Sequence, residues 1–562
     1  MHKSLLPCLI VIGALGASVA AQTTWYVNAA AGPGGTGTVA SPFTTIQAGI
    51  AAAAVGGDTV EVAPGTYVEQ VDFIGKAVVG RSAGGAPVTT ISGGGTQRVV
   101  LFRSGEGAGA VLEGFTVSGG YGAPVPWIMM ACTDGDGAGI LCLGTAPTIR
   151  DCVITGNATG WSGTPGNVFG GGGGGIAALS TGSSGASPTL ERCVITGNST
   201  SDGGIETVNG DGEPGGLGGG AYVLVNPWLP TSSMTLVDCR ITANTTGQGG
   251  TAMALCPTGA AGGRGGDGAG VYGAATLINC VVADNICGNG GPGSPGATSG
   301  GANGPGGNGG GVAGSATLIH CTVWNNRTGT GATGGLLPVG ANGVGGGIAL
   351  GATAVNSILW ANLPDQLDPF TTSVTYCAVQ GGAPGAGNIA STPLLTDPAN
   401  GDFHLALGSP CIDAGDNGIA NLPATDFDGD PRLFHGTVDL GADETILTQG
   451  FAQAGPGQPV SLTNANLTGG GVYYNIFSFD LCPGGPGTGP AVLLGLCTTN
   501  INSLIAQIML PIGTGPFHFS ASADTEVWGP YTLPPSTFES VCFEFTGGVV
   551  GAVSRVTRFT IQ

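Results

Sequence analysis

Thr317-Leu318-Ile319-His320-Cys321-Thr322-Val323-Trp324-Asn325-Asn326 is one of six copies of a ten-residue pattern. It reads Thr, apolar, two variable positions, Cys, one variable position, Ile/Val/Leu, two variable positions, Asn. The other copies begin at Thr148, Thr189, Thr235, Thr276 and Thr353. The Cys slot holds Cys152, Cys193, Cys239, Cys280 and Cys321, then Ser357, at spacings of 41, 46, 41, 41 and 36 residues. A repeat of this length, one supersecondary unit per copy, predicts a stacked array. Sides alternate with period two along a strand, so Leu318, Cys321 and Val323 cannot all point inward from one straight strand. A bend at His320 resolves this. The same slot holds Asp151, Arg192, Asp238, Asn279 and Asn356, and Asp and Asn tolerate the left-handed backbone of such a corner.

A third short strand, opened by glycines, precedes the copies: Gly173-Gly174-Gly175, Gly218-Gly219-Gly220, Gly309-Gly310-Gly311 and Gly345-Gly346-Gly347. Three strands per coil, stacked in parallel about 4.8 Å apart, predict an all-β fold, a right-handed parallel β-helix. Asn157, Asn198, Asn244, Asn285, Asn326 and Asn362 then form an amide ladder at another corner.

Residues 1–21 read as an export signal: Lys3, the apolar run from Leu9 to Leu15, and Val19-Ala20-Ala21 before cleavage. A secreted or cell-surface location follows. No later segment reaches the roughly 18 apolar residues of a membrane span. The net charge is −21 with 8% charged residues, which argues against nucleic acid and anionic lipid and suits calcium. Gly (113) and Pro (36) are abundant enough among 562 residues to raise disorder as a class. The repeat argues otherwise, and the glycines concentrate in loops between copies.

Trp25-Tyr26-Val27, Pro42-Phe43-Thr44-Thr45-Ile46, Gly57-Asp58-Thr59-Val60 and Pro64-Gly65-Thr66-Tyr67 resemble the N-terminal entry of pectate-lyase-like right-handed β-helix proteins. That likeness implies a short capping helix over 45–54. Ser409-Pro410-Cys411-Ile412-Asp413-Ala414-Gly415-Asp416, Asp426-Phe427-Asp428-Gly429-Asp430-Pro431-Arg432 and Val438-Asp439-Leu440-Gly441-Ala442-Asp443-Glu444 resemble the closing segment of bacterial surface proteins of the choice-of-anchor Q type. The resemblance implies an exported, surface-associated β-helix and no defined reaction. The expected organisation is β-helix over 22–394, closing segment over 395–449 and, from alternating runs such as Val472 to Phe479, an antiparallel β-sandwich over 450–562.

Several constellations carry chemistry. The cysteine column reads as buried thiol filler, because identical rotamers in register do not supply a disulfide dihedral. Cys256 with Cys287, and two of Cys482, Cys497 and Cys542, are better disulfide candidates. The corner column Asp151, Arg192, Asp238, Asn279, His320 reads either as a catalytic strip or as turn chemistry with a surface ion-pair ladder, each pair under about 1 kcal/mol. Trp324 and Trp360, in the same slot of successive coils, form a platform for sugar rings or a patch covered by long loops. Asp426, Asp428 and Asp430 place three carboxylates on alternate residues, suited to calcium or to Asx turns that close the last coil. Gly262 to Gly268 resembles one imperfect copy of a calcium-binding nonapeptide repeat.

Two functions remain open at this point. One is a non-catalytic exported protein that binds polysaccharide or builds a cell envelope, with Trp324 and Trp360 as contacts. The other is a polysaccharide lyase or glycosidase acting on acidic polysaccharide. Its candidate catalytic residues are Asp134, Asp136, Arg192 and Asp238.

Overall fold

The computed structural model describes residues 22–562, apart from positions 55, 123–135, 163–168, 206–209, 225, 254–258, 296–299, 335–336, 370–372, 407, 434–435, 446, 466, 468–469, 484–485, 487–492, 495, 523–524, 547–548 and 555. The export signal, Asp134 and Cys256 lie outside the described residues.

One coil shows how the pattern becomes structure. Strands Val312–Ala313, Thr317–Ile319 and Thr322–Trp324 follow one another, and His320 turns the corner between the last two with φ 50°. Asp151, Arg192, Asp238, Asn279 and Asn356 do the same with φ between 49° and 54°. Each corner costs about 1–2 kcal/mol for a residue with a Cβ, and the stacking it permits offsets that cost. Leu318, Cys321 and Val323 are buried, as the bend requires. Repetition of this unit gives three parallel sheets of eleven, ten and eight strands among the described residues. Register is strict: Leu318 pairs with Leu277 on one side and Ala354 on the other. Columns of Leu/Ile, Cys and Val/Ile fill one continuous core.

The amide ladder forms as expected. Nδ2 of Asn157, Asn198, Asn244, Asn285 and Asn326 donates to Oδ1 of the next rung at 2.9–3.0 Å. At the last rung Gln366 Oε1 substitutes, accepting from Asn362 Nδ2 at 2.7 Å.

The glycine-rich excursions are themselves ordered. Gly262 and Gly265 N–H donate to Ala302 and Pro305 of the next coil, whereas Gly263 and Gly266 donate to Gly250 and Gly247 of their own coil. This is a three-residue period, as in a polyproline II helix. The third residue carries a side chain, and partly exposed Arg264 pairs there with buried Asp267 at 2.7 Å. A Cβ at Gly263 would lie 2.1 Å from Glu213 O, and one at Gly265 1.9 Å from Gly288 O. Glycine is needed there for close backbone approach.

The open N-terminal end is covered by helix Ile46–Ala52. Thr45 caps it through Ala48 N–H, and Glu69 accepts from Ile46 and Gln47 N–H at 2.8 and 3.0 Å. Lys76 Nζ binds the carbonyls of Ile50, Ala51 and Ala53 at the other end. Both ends of the helix dipole thus meet the charge that favours them.

At the far end the hairpin Leu395–Asp397 and Asp402–Leu405 and the loops after it fold back onto the coils. The C-terminal strands form two antiparallel sheets, beginning at Thr448–Gln453, with helix Ile501–Ile508 added. Sequence alternation does not reveal that helix. Cys482 and Cys497 form a disulfide. Cys542 and Cys287 are free and buried, as are the five column cysteines.

Candidate functional site

The closing segment divides the corner column into two parts. Asp151, Arg192 and Asp238 form its open part. Arg192 makes a bidentate pair with Asp151 at 2.8 and 2.9 Å and is half exposed. Asp238 accepts from Asn279 Nδ2 at 3.0 Å. Burial pushes its carboxyl up to about 6, against the opposing effects of that bond and of Arg192.

Asn279, His320 and Asn356 lie beneath the closing segment. Asn279 Nδ2 donates to Thr425 O and its Oδ1 accepts from Arg432 at 2.7 Å. Asn356 exchanges hydrogen bonds with the backbone of Asp416. Its Nδ2 also lies 3.1 Å from His320 Nε2, which the ring accepts when neutral. Burial, and secondarily the charge of Arg432, lower the His320 pKa to about 2.

Arg432 is the hub of this cover. It is fully buried, and its guanidinium reaches the carbonyls of Gly441, Ala442 and Asp443 and pairs with Glu444 at 3.7 Å. Asp426 is equally buried. Its Oδ1 accepts from Asp428 and Asp430 N–H, and its Oδ2 from Glu444 N–H. Oδ1 thus closes the local Asx-type turn, and Oδ2 ties that turn to the end of the closing segment. Asp439 accepts from Asp413 and Thr445 N–H, and burial pushes its carboxyl up to about 6.

Trp324 and Trp360 are register partners on one sheet and are partly exposed. Closing-segment residues share their apolar clusters: Trp324 packs against the cluster that holds Phe403 and Ala442, and Trp360 against the one that holds Leu405 and Leu440. Arg240 lies 4.6 Å above the Phe427 ring and donates to Gly401 O. Asp402, His404 and Asp428, which adjoin Phe403 and Phe427 in the chain, form a hydrogen-bonded cluster: His404 Nε2 is 2.7 Å from Asp428 Oδ2, and Nδ1 contacts Asp402 Oδ1. Among the described residues, one ligand atom each from His404, Asp428 and Asp443 converge within 4.8 Å. Sequence reading found Asp428 but missed His404 and Asp443. The signal available was the Asp402-Phe403-His404 alternation in a short strand, which places both polar side chains on one face.

Asp136 is buried away from this flank, with Oδ1 accepting from Gly172 N–H. In the C-terminal sandwich an apolar cavity of about 550 Å³ is lined by Phe451, Phe477, Phe538 and Tyr531. Its polar lining includes Gln507, whose amide is engaged by the backbone of Phe477.

No family model matches the chain, and no curated protein matches it. Among solved structures it is similar to one titled rhamnogalacturonan lyase, with 14% identity and a TM-score of 0.27 over 65% of this chain and 87% of that one. It is also similar to a GH136 lacto-N-biosidase from Eubacterium ramulus, with 11% identity and a TM-score of 0.22 over 63% and 58%. At such scores the likeness carries no argument about activity, and the site must be read from its own geometry.

Proposed function

We propose that this chain is an exported, non-catalytic β-helix protein that binds polysaccharide on the flank where the closing segment meets the coils. The observation that carries the reading is the composition of that flank. Partly exposed Trp324 packs on the same apolar cluster as Phe427, whose ring Arg240 covers, Trp360 is its register partner, and Asp402 and Asp428 adjoin Phe403 and Phe427 in the chain. Aromatic faces take the apolar side of a sugar ring, and fixed polar groups take its hydroxyls. The reading of residues 1–21 as an export signal supports a site that meets polysaccharide outside the cell.

A lyase needs a free base beside a cation. Among the described candidates, Arg192 pairs with Asp151, Asp238 accepts from Asn279 and Asp136 from Gly172. That favours binding over turnover. A panel of immobilised polysaccharides, probed with wild type and with Trp324→Ala and Trp360→Ala variants of unchanged melting temperature, tests the proposal. Retention lost in both variants supports it. Equal retention by wild type and variants refutes the platform, and unsaturated product that disappears in Asp238→Asn favours the lyase.

A further inference from the structure

His404 sits between carboxylates on both ring nitrogens: Nδ1 against Asp402 Oδ1, Nε2 at 2.7 Å from Asp428 Oδ2. A neutral imidazole carries one N–H and one lone pair. With the Nδ1 proton given to Asp402, Nε2 turns a lone pair toward the carboxylate of Asp428. Asp443 brings a further ligand atom within 4.8 Å of both. Two acceptors facing each other, beside a third anionic group, are reconciled by a cation between them.

We propose that His404 Nε2, Asp428 and Asp443 hold a divalent transition-metal ion of the zinc type. One nitrogen and two carboxylate oxygens form a borderline donor set, unlike the all-oxygen shell that calcium prefers. The supporting groups have the arrangement such sites use. Asp402 stands behind the imidazole on its other nitrogen, which fixes tautomer and ring orientation. Leu405 N–H donates to Asp443 Oδ2 at 3.0 Å, which fixes that carboxylate. Asp443 is buried and Asp428 exposed, so the site is rooted in the closing segment and open to water on one side, where solvent completes the coordination.

The three ligands come from separate stretches of chain: the hairpin strand Asp402–Leu405, the loop at 428 and the run ending the closing segment at 443. An ion bridging them clamps the closing segment onto itself, and its binding energy becomes stability of that segment. The site shares Asp402 and Asp428 with the polysaccharide flank, but its test does not use a glycan, so the two readings fail separately.

The experiment uses the full chain without a metal-binding purification tag, stripped with chelator and titrated with zinc, calcium and cobalt. Expected are one tightly bound zinc per chain, slower proteolysis of the closing segment with zinc than without, and a cobalt visible spectrum typical of a nitrogen–oxygen site. Asp428→Asn, at an exposed position that tolerates substitution, should weaken zinc at least tenfold. Asp402→Asn should weaken it by about 10–100-fold. Exposed Asp397→Asn should leave it unchanged. His404→Gln removes the nitrogen ligand; should that variant misfold, Asp428→Asn carries the same test. Absence of zinc retention by the wild type overturns the proposal, as does retention unchanged in Asp428→Asn. Calcium bound more tightly than zinc and insensitive to His404→Gln also overturns it. So does a closing segment indifferent to zinc but loosened as pH rises through the histidine range, because the ring is then an imidazolium paired with its carboxylates.

Discussion

Replacing Asn244 with alanine removes a rung from the middle of the amide ladder. The Asn244 side chain makes four buried hydrogen bonds: Nδ2 donates to Ile195 O (2.9 Å) and Asn285 Oδ1 (3.0 Å), while Oδ1 accepts from Asn198 N and Asn198 Nδ2 (both 3.0 Å). Asn198 Nδ2 keeps Ile154 O, and Asn285 Oδ1 keeps Asn244 N. The Asn198 backbone N–H loses its side-chain acceptor in a site where Asn198 is 1% exposed. An orphaned buried donor costs about 1–3 kcal/mol, and the remaining lost bonds about 1 kcal/mol each. Summed, the orphaned donor and the three other lost bonds come to about 4–6 kcal/mol. Equilibrium urea unfolding followed by far-ultraviolet circular dichroism measures it. Labelling of the neighbouring thiols Cys239 and Cys280 under native conditions reports local opening of the same coils. Thr276→Ala, on the outer face of a neighbouring coil, is the control and should stay within about 0.5 kcal/mol of wild type. A loss below about 1 kcal/mol, or one equal to that of Thr276→Ala, refutes the idea that the ladder holds the coils together.

The column thiols should resist alkylation in the native protein at pH 8 and react together on unfolding, since burial pushes Cys152 and Cys377 up to about 12; rapid labelling of the folded chain would contradict the packing. His320 protonates only in the unfolded chain below pH 6.5, because its folded pKa is about 2. The wild type should therefore lose stability relative to His320→Asn as pH falls from 6.5, by at most about 1.4 kcal/mol per pH unit; parallel unfolding curves from pH 7 to 4.5 would count against this. Asp439 acts in the opposite sense: its folded pKa is raised to about 6, so the destabilisation it causes grows from about pH 4 to pH 6, and Asp439→Asn should gain on wild type across that window. Arg432→Met should free the closing segment, read as faster thermolysin cleavage between 395 and 445 with the coils still resistant; an unchanged cleavage rate would remove Arg432 as the hub.

The coil was legible because its constraints are local and repeated. A corner at His320, a thiol at Cys321 and an amide at Asn326 recur at fixed offsets, and only one backbone path buries Leu318, Cys321 and Val323 together. The glycine-rich excursions were legible only as loops. Their order lies in hydrogen bonds to other coils, such as Gly265 to Pro305, and a period of three among glycines offers no hydrophobic contrast to read. The closing segment was recognisable by its motifs, but its effect was not. Nothing in the sequence says that Arg432 reaches Asn279 across 153 residues, or that Phe403 and Leu405 join the apolar clusters on which Trp324 and Trp360 pack. The orientation of Asp426 was hidden for the same reason. Its carboxylate is drawn inward by the backbone N–H groups of Asp428, Asp430 and Glu444, a choice made by tertiary contact.

Charge narrows what the flank can bind. The chain has 13 Lys and Arg against 34 Asp and Glu, and many of the cations serve structure. Arg81, Arg103, Arg150, Arg192, Arg264 and Arg558 each meet a carboxylate, Lys76 holds helix carbonyls, and Arg432 is sealed in the closing segment. Arg240, stacked on Phe427, is the cation that stands among the flank's aromatic rings. A strongly anionic polysaccharide approaching this surface meets Asp402 and Asp428 with one guanidinium to offset them, and repulsion falls off only over about 8–10 Å in physiological salt. A neutral glycan meets no such penalty and gains the exposed indole edges. An acidic one becomes acceptable where a divalent ion sits between its carboxylates and those of the protein, so metal at His404 and ligand choice at the tryptophans become one electrostatic question.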